Sequence, residues 1–322
     1  MKQFHKKSVT TLLISFFTLG LTALAITAAP LAFAAPTPVN LATAAPFAIL
    51  AGTPGISDAG NASVINGNVG LSPAGGAGIG LNCSQVTGTI YSVDNAGPLP
   101  CRVTNGPLLV TAKNDLTAAF TDVAGRTPVT RVPTELGGTT KIAGVYDSAS
   151  TTFGITAGAG PLILDGQGDP SSVFIFEMGF GGTGLNVGSG STVAFVNGAQ
   201  ACNVFWRVDT AAINTGATFK GNILALNSIT VADASNIEGR LLARNGSVSL
   251  INDVITVPTC VIPSTGGSTG SGGTTTTGTT TGSSLQAPNT GIARDYSTSF
   301  ITIILSILGL GFIAVVIYRY AK

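Results

Sequence analysis

Short runs in which apolar and other residues alternate recur throughout residues 42–262, and one motif among them repeats. Residues 219–224 align with residues 237–242 so that apolar residues lie over apolar residues and glycine lies over glycine. The shared motif is apolar-x-Gly-x-apolar, and further copies begin at Ile65 and Val86, with a partial copy at Ile142. Alternation with a period of two residues predicts β-strands.

The spacing of the copies predicts how these strands are arranged. Gly221 and Gly239 are 18 residues apart, and Gly67 and Gly88 are 21 residues apart. Repeats of roughly 20 residues are typical of solenoids, in which each turn buries one face on the next turn. Three short strands and three corners fit into such a turn. The sequence therefore predicts an all-β fold, a triangular β-helix, over residues 42–262.

The same alternation predicts which side chains of the repeat face solvent. Lys220 and Asn222 fall on outward positions, and one turn later the equivalent positions hold Glu238 and Arg240. Charged side chains hold liquid water around them. We therefore expect this wall to be solvated and to carry a surface ion pair.

Residues 106–126 have a helical rather than a strand pattern. Pro107 suits a first helical turn, and Gly125 suits the end of a helix. We expect one amphipathic helix that covers an apolar flank of the solenoid, the alternative being a membrane-binding helix. Because copies of the repeat both precede and follow this segment, early turns should stack beside late ones. The apolar positions at helical spacing are Leu109, Ala112, Leu116, Ala119, Phe120 and Val123.

The N-terminal residues 1–34 have the features of an export signal. Lys2, Lys6 and Lys7 provide a positive start, and an apolar run follows from residue 12 to about residue 26. Residues 32–34, Ala-Phe-Ala, fit a cleavage site for signal peptidase. An uncleaved membrane anchor is the alternative interpretation.

The C-terminal residues predict a tether. Residues 263–297 include a long tract of Thr, Gly and Ser, which indicates a flexible stalk. Residues 298–318 are apolar enough for a transmembrane helix, and the basic tail 319–322 follows. Inside the stalk region a Pro-x-Thr-Gly core resembles the sorting signal of sortase-anchored proteins, although Ala287 stands where leucine is usual. This sorting-like motif is Pro288, Asn289, Thr290 and Gly291.

Both ends of the chain thus place the folded part outside the cell, where disulfide bonds persist. Four cysteines allow three pairings. We favour Cys83–Cys101, which closes a short loop, and Cys202–Cys260, which ties a late turn to the end of the domain.

Composition narrows the classes of function. Charged residues make up 9% of the 322 residues, and the net charge is +1, which gives no field to attract nucleic acid. The single histidine, His5, lies in the predicted leader. We therefore expect neither an enzyme nor a metal or cofactor site, and we expect a monomer.

Several long segments share motifs with one family. They include APFAILAGTPGISDAGNASVINGNVGLSP (45–73), AKNDL (112–116), AGR (124–126), GVY (144–146), LILDGQGDPSSVFIFEM (162–178), NGAQACNVFWRV (197–208), FKGNILA (219–225) and EGRLLARNGSVSL (238–250). These segments resemble the microbial ice-binding (antifreeze) proteins. The resemblance implies a right-handed triangular β-helix with a lateral α-helix, no cofactor, no catalysis, and adsorption to ice through one flat face.

The resemblance also indicates which residues contact ice. The ice face of the family is associated with a Thr-Ala/Gly-x-Thr/Asn pattern, which residues 183–186 and 215–218 match and residues 189–192 nearly match. Residues 233–236 occupy the equivalent place one turn after residues 215–218, but they begin with a charged residue, Asp233. A similar match at residues 111–114 lies on the predicted helix and is rejected. Because the predicted rows of threonine are short and also contain Ser, Asn and Ala, we expect modest ice-binding activity. The candidate ice-binding residues are Thr183, Asn186, Ser189, Thr192, Thr215, Thr218 and Asn236.

Two other functions fit parts of the sequence. A displayed adhesin that binds a glycan or another partner would have the same leader, stalk and anchor. A β-helical polysaccharide lyase or hydrolase would need paired carboxylates, for which Asp165, Asp169 and Glu177 are candidates. However, residues 165–170, DGQGDP, have the composition of a turn. Ice binding at the cell surface, with recrystallisation inhibition or attachment of the cell to ice, is the preferred hypothesis.

Overall fold

The computed structural model describes residues 36–178 and 184–261, which form a β-helix with one lateral α-helix. The predicted leader, Thr183, the stalk, the sorting-like motif and the predicted anchor lie outside the described residues. Within the described part, no helix is both long enough and apolar enough to cross a membrane.

The strands are short and are numbered in chain order. They are β1 (Phe47–Ala51), β2 (Ile56–Asp58), β3 (Val64–Asn66), β4 (Asn68–Leu71), β5 (Ile79–Gly80), β6 (Ile90–Ser92), β7 (Arg102–Thr104), β8 (Val129–Val132), β9 (Thr140–Ile142), β10 (Gly144–Ser148), β11 (Thr152–Ile155), β12 (Leu162–Asp165), β13 (Phe174–Glu177), β14 (Gly184–Val187), β15 (Val193–Val196), β16 (Val204–Val208), β17 (Ala211–Ile213), β18 (Thr218–Ala225), β19 (Ile229–Val231), β20 (Asn236–Ala243), β21 (Val248–Leu250) and β22 (Val254–Thr256). The α-helix is α1 (Gly106–Ala124), and 3-10 turns occupy Ala42–Ala44, Gly76–Gly78, Cys83–Gln85 and Ala201–Asn203.

Three walls, each made of parallel strands, enclose the core, as the repeat predicts. Sheet A runs in the order β7-β6-β4-β1-β20-β18-β16-β13-β10-β8, and sheet B runs β11-β14-β17-β19-β21-β2-β5. The third wall consists of sheet C, β15-β12-β9, continued by residues 218–220 of β18, residues 236–238 of β20, β22 and β3. Each turn of the chain visits sheet A, then sheet B, then the third wall.

The first strand, β1, lies in the middle of this stack. From β1 the early turns grow outward to β7 at one end of sheet A, and α1 then carries the chain to β8 at the opposite end. The later turns then stack in the reverse direction toward the first ones. At the junction β20 pairs with β1, β21 with β2 and β22 with β3, all in parallel. The prediction that early turns stack beside late ones is confirmed, and we call this junction the seam.

The helix forms where the sequence predicts it and buries the predicted stripe. Asn105 caps the N-terminus by accepting a hydrogen bond from the Leu108 amide, and Gly125 follows the last turn. Leu109, Leu116 and Phe120 pack against outward-facing apolar residues of sheet A. A second cluster fills the inside of the solenoid, with the Trp206 and Phe176 rings stacked at 4.1 Å. Sheet A is therefore a covered wall.

One prediction about the repeat was wrong. Lys220 and Glu238 form the expected surface ion pair at 2.7 Å on the third wall. In contrast, Asn222 is fully buried and Arg240 is only 8% exposed. The strands β18 and β20 bend at Gly221 and Gly239 from the third wall into sheet A, where the segment before β1 covers them. The solvated wall thus ends at the glycine of each repeat.

Both predicted disulfides are present. Cys83 pairs with Cys101 across a Cα–Cα distance of 5.5 Å, and Cys202 pairs with Cys260 across 5.8 Å. The first closes the early turns, and the second fastens the end of the described chain to a late turn.

Candidate functional site

Sheet B presents a straight row of small side chains to solvent. Its strands pair in register, so that one outward position of each strand aligns with the next across all seven strands. The centre of the row is exposed, and Thr230 lies between Ala212 and Ser249. In spatial order the row is Gly154, Asn186, Ala212, Thr230, Ser249, Ser57 and Gly80.

Buried neighbours on the same strands hold this row in place. Ile229 and Val231 flank Thr230 and are fully buried, and Ala211 and Ile213 flank Ala212 in the same way. Because side chains of a strand alternate between its faces, each apolar-x-apolar triplet anchors one outward residue. Outward positions repeat at about 4.8 Å from strand to strand and about 6.7 Å along a strand. The result is a rigid two-dimensional array.

A second row of hydroxyl and glycine residues lies beside the first. Ser228 and Ser247 follow each other in adjacent turns, and their hydroxyl groups are 3.4 Å apart. On the other side of the central row, the side-chain amide of Asn214 donates to the side-chain oxygen Oδ1 of Asn186 at 3.0 Å. Contacts between turns thus fix the orientation of polar groups along the face.

The outer surface of sheet B lacks charge. The only charged residue in its seven strands is Asp58, which points inward and is 5% exposed. At one end of the row Glu135 pairs with Gly154, and its carboxylate accepts hydrogen bonds from Thr156 and from the Gly137 amide. Burial alone would raise the pKa of Glu135, but the bonds from Thr156 and Gly137 hold it below its ordinary value.

The other two walls differ in covering and charge. Sheet A lies under α1. The third wall carries the Lys220–Glu238 pair, and it exposes larger apolar side chains at Val64 (44%) and Ile142 (48%). Of the three walls in the described part, sheet B alone is uncovered and has no charged side chain on the outward positions of its strands; the Glu135 carboxylate lies at one edge, beside Gly154.

Comparison with known proteins agrees with this geometry. Residues 49–256 match the family model described as ice-binding-like. The chain belongs to the ice-binding-like family. It is 39% identical over 225 residues to an ice-binding protein of Flavobacterium frigoris (strain PS1), covering 68% of this chain and 76% of that protein. It is 38% identical to an ice-binding protein of a Colwellia species, over 70% of this chain and 86% of that one.

A solved structure has the same fold. The crystal structure of an ice-binding protein from an Antarctic biological consortium superposes with a TM-score of 0.60 at 31% identity. The match covers 72% of this chain and 96% of the other. The β-helix with one lateral helix is therefore the architecture of this ice-binding-like family member.

The structure places the six described ice-contact candidates in three parts of the fold. Asn186 lies in the central row of sheet B. Thr192, Thr218 and Asn236 instead form a register row at the margin of the third wall, where Val254 follows them. The remaining two described residues, Ser189 and Thr215, are exposed in the turns that join sheet B to the third wall. The seventh, Thr183, lies outside the described residues.

Sequence reasoning missed most of the sheet B row. Ala212, Thr230, Ser249 and Ser57 were not among the predicted contacts. The signal that could have found them is the apolar-x-apolar triplet, such as Ile229-Thr230-Val231, which recurs roughly once per turn with a small central residue. These triplets lack the glycine that made the other repeat easy to recognise.

The carboxylates considered for catalysis do not form a paired site. Asp165 accepts from the Gln167 amide and from Asn197, and Asp169 accepts from Ser171. Glu177 lies 3.6 Å from Arg207. Within residues 36–178 and 184–261, no three histidine, cysteine, aspartate or glutamate side chains gather in a way that could hold a metal ion.

Proposed function

We propose that this protein binds ice through sheet B. The observation that carries the proposal is the seven-strand row of small, uncharged residues on a rigid parallel sheet. Ice offers a regular lattice of oxygens and no charge. Each contact with it is weak, so many contacts must act together on a frame that loses little entropy on binding.

The chemistry of the row suits this task. The methyl groups of Ala212 and Thr230 exclude loose water, and the hydroxyl groups of Thr230, Ser249 and Ser57 hold the remaining water in order. Threonine is stiff about χ1, which keeps its hydroxyl and methyl in fixed positions. Since only one threonine stands in the central row, we expect recrystallisation inhibition and crystal shaping rather than a large depression of the freezing point.

The predicted residues at the corner extend the proposed contact surface. Thr215 and Ser189 belong to turns beside sheet B, and Thr192, Thr218 and Asn236 continue from these turns onto the third wall. We propose that they form the margin of the ice-binding surface, because this row of uncharged side chains adjoins sheet B. The Lys220–Glu238 pair lies farther along the third wall, and Asp233 places one exposed carboxylate in the adjacent turn.

We further propose that the protein acts outside the cell, as a right-handed solenoid on a tether. The sequence supports this with an export signal, a stalk of Thr, Gly and Ser, an apolar span and a basic tail. A membrane anchor or sortase transfer at Thr290 would each hold the ice-binding surface away from the cell. The protein would then attach the cell to ice or limit recrystallisation around it.

The deciding experiment is ice-affinity partitioning of the full-length protein and three threonine-to-tyrosine variants. A ring at Thr230 should lift the flat face from the crystal and lower partitioning into ice by about tenfold or more, which corresponds to a loss of about 1.4 kcal/mol. The ring at Thr218 tests the margin and should have a smaller effect. Thr121→Tyr, on the exposed side of α1, is the matched control.

The outcomes separate the surfaces. If Thr230→Tyr partitions like wild type while Thr218→Tyr does not, the contact lies on the third wall and sheet B is not the site. If the wild-type protein leaves recrystallisation and crystal shape unchanged at tens of micromolar, the proposed function is wrong. Circular dichroism of each variant confirms that the solenoid remains folded.

A further inference from the structure

A cavity lies beside sheet A, away from sheet B. It has a volume of about 420 Å³ and is formed where the segment before β1 crosses the solenoid. The cavity is broadly open to solvent, and its volume lies in the range of small-molecule pockets, which commonly start at about 300 Å³. The lining residues are Pro38, Val39, Asn40, Leu41, Ala42, Ala45, Cys202, Phe205 and Arg240.

Arg240 is the only charged residue among those that line this cavity. Its Nε donates to the Ala45 carbonyl oxygen at 2.6 Å, and its Nη1 donates to the Asn222 side-chain oxygen at 2.7 Å. These bonds use the inner part of the guanidinium and hold the side chain, which is 92% buried, in one orientation. Asn222 is held in turn by the carbonyl oxygens of Ala201, Cys202 and Val204.

The outer edge of the guanidinium has no partner in the described part of the chain. No hydrogen bond from Nη2 to a described residue is found, and none of the four ion pairs there includes Arg240. The only polar side-chain atom there that is both sealed from solvent and unpaired is Nε of Arg102. We infer that Nη2 of Arg240 opens into the cavity that the residue lines.

An uncompensated charge in this position favours an anion. Burial lowers the pKa of Arg240 from its ordinary value to about 10, which leaves the guanidinium charged at neutral pH. A buried charge without a counterion costs free energy, and an anion that pairs with it offsets that cost. The planar fork of a guanidinium matches the two oxygens of a carboxylate.

The apolar residues that line the cavity indicate the chemistry of the rest of the ligand. Val39, Leu41 and Phe205 are apolar, and each is at most 6% exposed. A strongly hydrated ion such as free phosphate would lose its water against these walls without compensation. We propose that the cavity binds a small organic carboxylate, with its carboxylate on Arg240 and its hydrocarbon part against Val39, Leu41 and Phe205.

Calorimetric titration of the full-length protein with hexanoate and, separately, with inorganic phosphate tests this site. Wild type should bind hexanoate saturably at one site and phosphate more weakly. Arg240→Gln should weaken hexanoate binding by at least about tenfold, because the paired charged hydrogen bonds are lost. Pro38→Trp places a ring at the rim, keeps Arg240, and should weaken binding too. Lys141→Gln removes one positive charge from the third wall and should bind like wild type.

Several results would overturn the assignment. They are the absence of saturable hexanoate binding by the wild type, tighter binding of phosphate than of hexanoate, or undiminished binding by either cavity variant. Because Pro38→Trp retains the bonds of Arg240 to Ala45 and Asn222, a folding defect in Arg240→Gln does not leave the question open. Ice partitioning of Pro38→Trp should equal that of wild type, since the cavity lies on a different wall from sheet B.

Discussion

Two buried carboxylates, those of Asp253 and Asp58, belong to a hydrogen-bonded cluster at the seam. Asp253 is fully buried and accepts hydrogen bonds from the amides of Ser235 and Ile251. Asp58 accepts from the Ser63 amide and the Gln85 side chain, and the Ser63 hydroxyl accepts from the Asp253 amide. An early turn and a late turn thus share one polar cluster in which the two carboxylates have different environments.

The two carboxylates have pKa values shifted in opposite directions. Burial raises the pKa of Asp253 from 3.8 to about 6, and the nearby charges of Asp58 and Asp233 add to this rise. Burial would also raise the pKa of Asp58, but the hydrogen bonds from Ser63 and Gln85 hold it below 3.8. Asp253 therefore binds its proton more tightly in the folded state than in the unfolded state.

This difference predicts a pH dependence of stability. Between pH 4 and pH 6 the unfolded chain releases the Asp253 proton while the folded protein keeps it, so the free energy of unfolding falls as the pH rises. The loss from pH 4 to pH 7 should be on the order of 1–2 kcal/mol after screening. Chemical denaturation at several pH values measures it. Glu177, whose pKa burial also raises, adds a change of the same sign, whereas Glu135, whose pKa is lowered, adds a change of the opposite sign near pH 4 to 5.

A variant isolates the contribution of Asp253. Asp253→Asn cannot ionise, so its free energy of unfolding should vary less between pH 4 and pH 6, whatever its absolute stability. Asp165→Asn, at the last residue of β12 and outside the seam, is the matched control for the removal of an aspartate. An Asp253→Asn protein with the full wild-type slope would show that another group titrates.

At the scale of elements, the glycine of each repeat marks the corner between the third wall and sheet A. Gly221 has φ +116°, and an added Cβ there would lie 2.7 Å from Val204 Cγ1. An added Cβ at Gly239 would overlap the carbonyl oxygen of Gly221 in the next turn, and Gly88 stands in the same relation to Gly67. The turns stack closely at this corner only because these side chains are absent.

Substitution of Gly239 by alanine should therefore be costly. The backbone of the adjacent turn must move away, which disrupts the pairing of β18 with β20, and we expect a loss of at least about 3 kcal/mol in the free energy of unfolding. Gly154→Ala is the control, because an added Cβ there meets its nearest neighbours at 3.8 Å. Chemical denaturation of both variants decides the point, and equal stabilities would contradict this account of the repeat.

The predictability of each element followed its length and its pattern. The 19-residue α1 was predicted with its first-turn proline, its terminal glycine and its six buried residues, because a helical stripe of that length is distinctive. The strands of sheet B that carry the proposed contacts have two to four residues, too few for alternation to identify them. Asn222 and Arg240 were assigned to a solvated wall because the sequence does not show that a strand turns the corner at glycine.

At the scale of the whole molecule, the order of turns along the stack was only partly predictable. The sequence indicated that early and late turns lie together, since copies of the repeat flank the helix. The sequence did not indicate that the first strand, β1, lies in the middle of the stack. That position depends on pairings between strands far apart in sequence, such as β1 with β20. The extent of sheet B, with β2 and β5 beyond β21, follows from the same pairings.

One consequence is that the proposed ice-binding face combines both parts of the chain. Ser57 precedes α1 and Ala212 follows it, yet three strand steps separate them in the row, about 14 Å at the spacing of paired strands. A ring at either position should lift the same plane from ice. We expect Ser57→Tyr and Ala212→Tyr each to lower ice partitioning by about tenfold or more.

Ser84→Tyr is the matched control for the early turns, because Ser84 is exposed in a 3-10 turn and is not part of sheet B. It should partition like wild type. If Ala212→Tyr fails to bind ice while Ser57→Tyr binds normally, the contact is confined to the late turns and the seam has no part in it. If both variants lose affinity, a flat surface continuous across the seam is required, since no local motif contains both residues.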